Sequence, residues 1–220
     1  MPHNFLLRKK LLSGKRQISE GKFIIMGIDP GLNATGYGII QIVSDRLQVV
    51  TAGAVRPSPR LPIGERLLHL YDGLSQAVTA HQPGLVILES LFTHHQYLTT
   101  AALMAHARGI ACVVGAQHGL EIVEYLPTRI KKALTGYGSA SKEQVARAVG
   151  MWLGVDPSGW SSDATDALAL AIAHAHIHSA SRNGYIQKST RSRNVAKHLA
   201  SQRLSNGVCQ IINSPKENLL

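Results

Sequence analysis

The sequence predicts an α/β domain: a mixed five-stranded sheet flanked by helices. Three observations carry this expectation. Between 23 and 55 three strand-like segments follow one another, joined by turns short enough for antiparallel neighbours. Two more apolar segments, 85–89 and 121–125, each follow a stretch with helical periodicity, the pattern of a crossover between parallel strands. Beyond Pro127 only helical periodicity remains, until it fades after Ala180.

The elements follow in order. Phe23–Asp29 is a continuous apolar run, expected to be buried on both faces. A Gly/Asn turn leads to Gly36–Val43, and the polar break Ser44-Asp45-Arg46 leads to Leu47–Val55. Leu67, Leu68, Tyr71, Leu74 and Val78 mark a helix over 62–81, which Gln82-Pro83-Gly84 ends. Leu85–Glu89 is short and apolar. Tyr97–Gln117 is a long helix of small residues, stopped by His118-Gly119. Glu121–Tyr125 is the fifth strand. Helices are predicted over Thr128–Leu134, Ser141–Leu153 and Asp163–Ala180.

The 220 residues suffice for one well-buried domain with tails, and no apolar run reaches the ~20 residues needed to span a bilayer. Cys112 and Cys209 have no metal or redox spacing, so a reducing compartment is expected. The net charge of +10 is unevenly placed. Residues 1–22 carry six Lys/Arg against one acid, and 180–220 carry seven against one. Residues 23–179 carry ten against eleven. The expected organisation is therefore a near-neutral core, 23–180, between a basic extension, 1–22, and a basic tail, 181–220, both disordered. Basic arms suit nucleic acid and also serve as solubilising tails. The extension has no secretory signal. It is compatible with an organelle transit peptide or an over-extended start, although Met26 lies within the first strand.

Four carboxylates sit where apolar segments begin or end. Asp29 closes the first strand and precedes Pro30-Gly31, which is also ordinary turn chemistry. Glu89 closes a strand buried on both faces, where a carboxylate must be solvated, paired or metal-bound. Asp163 and Asp166 share one face of a helix's first turn, where Asp163 or Ser162 could instead be the N-cap. Taken together they form a candidate metal site. Mg²⁺ prefers oxygen ligands and keeps several waters, so four carboxylates can serve two ions, the arrangement of two-metal phosphodiester cleavage.

Arg129, Lys131, Lys132, Lys142 and Arg147 are half of the core's basic residues and fall within 19 positions, around the turn Gly136–Ala140. They suit phosphate contact, or form a solvated helix face. Phe92 follows Glu89 by three and could stack on an unpaired base or pack in the core. His174, His176 and His178 resemble a metal tract, but only His174 and His178 share a face, and interaction with the helix dipole is favoured. The glycine-rich run 27–38 matches neither nucleotide-binding fingerprint.

In order across 23–180, several blocks resemble the RuvC family of Holliday-junction resolvases, which have a ribonuclease-H-like fold. They are Gly27-Ile28-Asp29-Pro30-Gly31 with Thr35-Gly36-Tyr37-Gly38, Ile87-Leu88-Glu89 with Phe92, and Ala107-Arg108-Gly109. Tyr125-Leu126-Pro127 with Ile130-Lys131, Gly136–Val145, and Asp163-Ala164-Thr165-Asp166-Ala167-Leu168-Ala169 complete the set. The resemblance implies a structure-selective endonuclease that nicks two strands of like sequence across a four-way junction, in recombination and repair. It implies Asp29, Glu89, Asp163 and Asp166 as catalytic carboxylates holding two Mg²⁺ ions, with Mn²⁺ able to substitute. It places Lys131 and Lys142 at DNA-contacting positions and Phe92 at the stacking aromatic near the junction centre. It further implies a bacterial cytoplasmic homodimer working with the RuvA and RuvB branch-migration proteins. The small residues Ala101, Ala102, Ala105 and Gly109 are compatible with close helix approach in a dimer.

Three other readings compete: a related nuclease acting on RNA or another branched substrate, one half of an actin-like kinase, and an idle DNA-binding scaffold. The chain is too short for a second kinase-like half, and none of the four acids is missing.

Overall fold

The computed structural model describes residues 23–43, 46–90 and 98–179. Five strands form one sheet: β1 (Phe23–Asp29), β2 (Thr35–Val43), β3 (Arg46–Val55), β4 (Leu85–Glu89) and β5 (Glu121–Tyr125). The helices are α1 (Ile63–His81), α2 (Leu98–Gln117), α3 (Pro127–Thr135), α4 (Lys142–Leu153) and α5 (Ser162–Ser179). The sheet order is β3-β2-β1-β4-β5. β1, β2 and β3 form the expected antiparallel meander, while β1, β4 and β5 run parallel through helical crossovers. The basic arms and Phe92 lie outside the described residues.

Strand alternation divides the core into two layers. Met26, Ile28, Ile39, Val86 and Leu88 face α1 and α2, meeting Leu74, Val78, Ala111 and Val114. Ile25, Ile40, Leu85 and Ile87 face α3, α4 and α5, meeting Ile130, Leu134, Val149, Leu168 and Ile172. Complete burial of Leu85–Leu88 explains why β4 is apolar throughout.

Three glycines on β1 and β2 determine how closely α5 approaches the sheet. A Cβ at Gly27 would lie 2.0 Å from the Ala167 carbonyl oxygen, one at Gly36 2.0 Å from that of Asp163, and one at Gly38 2.6 Å from the Leu168 amide. These are backbone atoms that no rotamer change can move. The helix therefore lies directly on the sheet, and its own residues Ala167–Ala173 are all buried. The glycine-rich run of β1–β2 is thus a helix-packing surface.

The helix ends follow local chemistry, with one correction. Ser141 caps α4 in a capping box with Gln144, and Gly136 and Gly154 end α3 and α4 with φ of 84° and 66°. α1 ends on Gln82 in the left-handed region, φ 48°, just before Pro83. At the start of α5 neither Ser162 nor Asp163 is the cap. Ser161 is, accepting from the Ala164 amide at 3.4 Å while its carbonyl accepts from the Thr165 hydroxyl at 3.1 Å. This leaves both aspartates free of the capping role. A short 3₁₀ turn, Pro157–Gly159, was not expected from periodicity. The helix-dipole reading of the histidines does not describe His174. It is buried, with Nδ1 2.9 Å from the Tyr125 hydroxyl, and the His176 ring lies tilted against Trp152, centroids 3.8 Å apart.

Candidate active site

β1 and β4 are adjacent parallel strands, so their C-terminal ends finish side by side. With Ile28 opposite Leu88, the next residues, Asp29 and Glu89, emerge together on the face covered by α5. The glycine-bedded α5 brings its first turn over the same edge. Asp29, Glu89 and Asp166 line one pocket of about 220 Å³ with Lys131 and Lys142. Its floor is apolar, made by Pro127, Ile130, Val145, Ala169 and Leu170. Asp163 does not line the pocket, but its charge acts on Asp29.

The electrostatics show how unfavourable this gathering of acids is. Asp29 is pushed up to about 6 by burial first, then by the charges of Asp166, Glu89 and Asp163, with Lys142 opposing. Glu89 is also raised, by burial and then Asp166, with Lys131 opposing. Cations already answer two of the acids. Lys142 Nζ lies 2.8 Å from Asp166 Oδ2, and this hydrogen bond raises the lysine's own affinity for its proton. Arg56 Nη2 lies 2.7 Å from Asp163 Oδ2. Both pairs are partly exposed, so each contributes little to stability on its own.

The residues fit a hard divalent cation in chemistry: an all-oxygen donor set whose mutual repulsion a cation would relieve. Among the described residues, however, no three acid, His or Cys side chains converge on one ligation point. Asp163 and Asp166 are instead turned onto Arg56 and Lys142. Holding an ion therefore requires side-chain rotation away from these basic partners.

The structure brings Asp29, Glu89, Asp166, Lys131 and Lys142 into one pocket and leaves Asp163 outside its lining, paired with Arg56. Of the other clustered basic residues, Arg129 covers the Tyr125 ring at 5.1 Å, while Lys132 and Arg147 are exposed. Sequence reasoning missed Arg56 altogether. It follows β3, 107 positions before the aspartate it pairs with, and no local pattern marks it.

Comparison with known proteins identifies the family. The family model "Crossover junction endodeoxyribonuclease RuvC" matches residues 25–174. A RuvC from Desulforamulus reducens is 41% identical over 151 residues, covering 69% of this chain and 92% of its own. The Thermus thermophilus RuvC solved in complex with a Holliday junction substrate superposes with a TM-score of 0.66 at 29% identity, covering 70% of this chain and 94% of that one. The yeast mitochondrial Holliday junction resolvase shares the fold, with a TM-score of 0.52 at 12% identity, covering 78% of this chain and 83% of that one. The ribonuclease-H-like sheet predicted from the sequence is thus the observed one, and the chain belongs to the RuvC family of crossover junction endodeoxyribonucleases.

Proposed function

We infer that this chain binds a four-way DNA junction as a homodimer and hydrolyses one phosphodiester in each of two strands of like sequence. Membership of the family makes the chain a Holliday-junction-resolving endonuclease of recombination and repair. The metal, residue roles and assembly that follow are our reading. The observation that carries it is the pocket uniting Asp29, Glu89 and Asp166 with Lys131 and Lys142.

We assign Asp29, Glu89, Asp163 and Asp166 to hold two Mg²⁺ ions, with Mn²⁺ as an alternative. When bound, such ions supply an activated water and stabilise charge on the leaving oxygen. The protein's own groups do the rest. Lys131 and Lys142 border the acids and can meet the scissile phosphate, which would otherwise be repelled by four carboxylates. Lys142 has two roles in this reading: it neutralises Asp166 before the substrate arrives, then transfers to phosphate. Phe92, outside the described residues, is assigned to stacking at the junction centre. The basic arms add non-specific, salt-sensitive affinity. RuvA and RuvB are the proposed partners and the bacterial cytoplasm the proposed compartment. No helix among the described residues is long and apolar enough to cross a membrane.

The test compares a synthetic four-way junction with a linear duplex of the same arms. Paired nicking of the junction with Mg²⁺ is expected, with the duplex left intact. Glu89→Gln should lower the cleavage rate on the order of 10³-fold while still binding the junction. Equal cutting of junction and duplex would refute the junction-selective reading.

The dimer proposal rests on the outer face of α2. Ala102, Ala105 and Gly109 are exposed, and Leu103 and Val113 remain 43% and 52% exposed. A Cβ at Gly109 would meet nothing within 4 Å, so packing within the chain does not require the glycine. Close approach of a second helix would. Gly109→Arg should convert the dimer to a monomer in light scattering without unfolding it. A dimer of unchanged mass would place the interface elsewhere.

A further inference from the structure

α2 covers the sheet face opposite the pocket, yet one of its side chains reaches the strand end that bears Glu89. Arg108 Nη1 donates to the Glu89 carbonyl oxygen at 2.5 Å. Its Nη2 lies 2.5 Å from Glu124 Oε1 on β5. The guanidinium is therefore a bridge between the ends of two parallel strands whose last paired residues are Glu89 and Tyr125. The Arg108 side chain is only 12% exposed, whereas that of Glu124 is 48% exposed.

We propose that Arg108 is a positioning residue for the nuclease: it grips the backbone of Glu89 from behind the sheet and so fixes the direction of that carboxylate. The inference rests on the reading of Glu89 as an active-site carboxylate. Three physical points support it. The planar fork of an arginine holds two acceptors at a fixed angle, which a lysine cannot do. A nearly buried guanidinium that lost its acceptors would suffer a large desolvation penalty, so the contacts hold the side chain firmly in place. The grip also falls at the final residue of β4. The ladder to β5 stops there except for the Ser90 amide, which donates to the Tyr125 carbonyl at 2.8 Å. Upstream, Leu85–Leu88 are held by parallel ladders to both β1 and β5. Glu89 is paired on the β5 side, and Arg108 adds a second hold from α2.

An ordinary ion pair would account for the Glu124 contact but not for the contact to the Glu89 carbonyl. The experiment separates these readings with Arg108→Met in the full chain. Glu124 is half-exposed, so removing its partner strands no buried charge. Single-turnover cleavage of a four-way junction should fall roughly 10- to 100-fold, with the dissociation constant for the junction unchanged within about twofold. Hydrogen exchange over 85–90, measured without DNA or metal, should become faster. Arg108→Lys should recover part of the rate. Glu124→Gln, which loosens the guanidinium without removing it, should cost less than Arg108→Met. In the Glu89→Gln background, Arg108→Met should cause no further loss.

Cleavage at the parental rate by Arg108→Met, with Glu89→Gln inactive, would overturn the positioning role alone. So would equal losses of cleavage and junction affinity, or unchanged exchange over 85–90. Retained cleavage by Glu89→Gln would instead overturn the reading of Glu89 on which the inference rests.

Discussion

Replacing Asp29 by Asn should all but abolish junction cleavage and, in chelator at neutral pH, make the protein more stable. Asp29 sits in the folded chain with a pKa of about 6, raised from 3.8 mainly by burial and then by three neighbouring acids. Between those two values the folded state binds more protons than the unfolded state, so stability falls as pH rises through the interval. Above about pH 6 the full penalty is present, at most about 3 kcal/mol for a shift of this size and less once solvent screening is counted. Asn removes the charge while keeping the shape. In metal-free buffer at pH 7.5 the variant should gain about 1–2 kcal/mol, seen as a Tm several degrees higher. Its stability should also lack the parental decline between pH 4 and 6. Mg²⁺ should raise the Tm of the parent more than that of the variant. Cleavage should fall on the order of 10³-fold with junction binding retained. A variant less stable than the parent in chelator at pH 7.5 would contradict the electrostatic account. Retained cleavage would remove Asp29 from the site.

Gly36→Ala should be nearly as damaging, although it adds a single methyl group at a residue with no chemistry of its own. The new Cβ would fall 2.0 Å from the Asp163 carbonyl oxygen and 2.4 Å from its carbonyl carbon. The helix must therefore lift, and with it both α5 aspartates. Overpacking of this kind costs roughly 1–3 kcal/mol. A displacement near 1 Å can lower a rate about 100-fold. We expect a lower Tm and a cleavage loss of that order with junction affinity largely kept. Gly64→Ala is the control: its Cβ meets nothing within 4 Å, it lies in α1, and it should cleave normally. A Gly36→Ala enzyme of normal activity would show that α5 can shift without disturbing the site.

Much of this architecture was legible in the sequence because it rests on local patterns. β1, β4 and β5 have the predicted limits, since each is an apolar run with a clear stop. The acids stood out because a carboxylate at the end of a buried strand needs a reason. The features not anticipated are those set by distant partners. Ser161 takes the cap that Asp163 or Ser162 could have filled, which depends on how the chain leaves the 3₁₀ turn Pro157–Gly159 and enters α5. The glycines of β1 and β2 match no nucleotide fingerprint, and their purpose is visible only with α5 lying on them. His174 found Tyr125, 49 positions away, and Arg56 found Asp163. No periodicity encodes such pairs. Family resemblance assigned roles to Lys131 and Lys142, but the ion pair of Lys142 with Asp166 came from geometry.

The order of the elements along the chain has a consequence for synthesis. All five strands, with Asp29 and Glu89 at the C-terminal ends of β1 and β4, have been synthesised once Tyr125 has emerged from the ribosome. Asp163 and Asp166 arrive only with α5, the last described element, whose alanine-rich face also completes one layer of the core. A nascent or prematurely terminated chain can thus hold the sequence of every strand and half of the acids while lacking the helices that bury one face of the sheet. Docking of the final helix closes the core and assembles the nuclease together, so truncated translation products would be unable to cut chromosomal DNA.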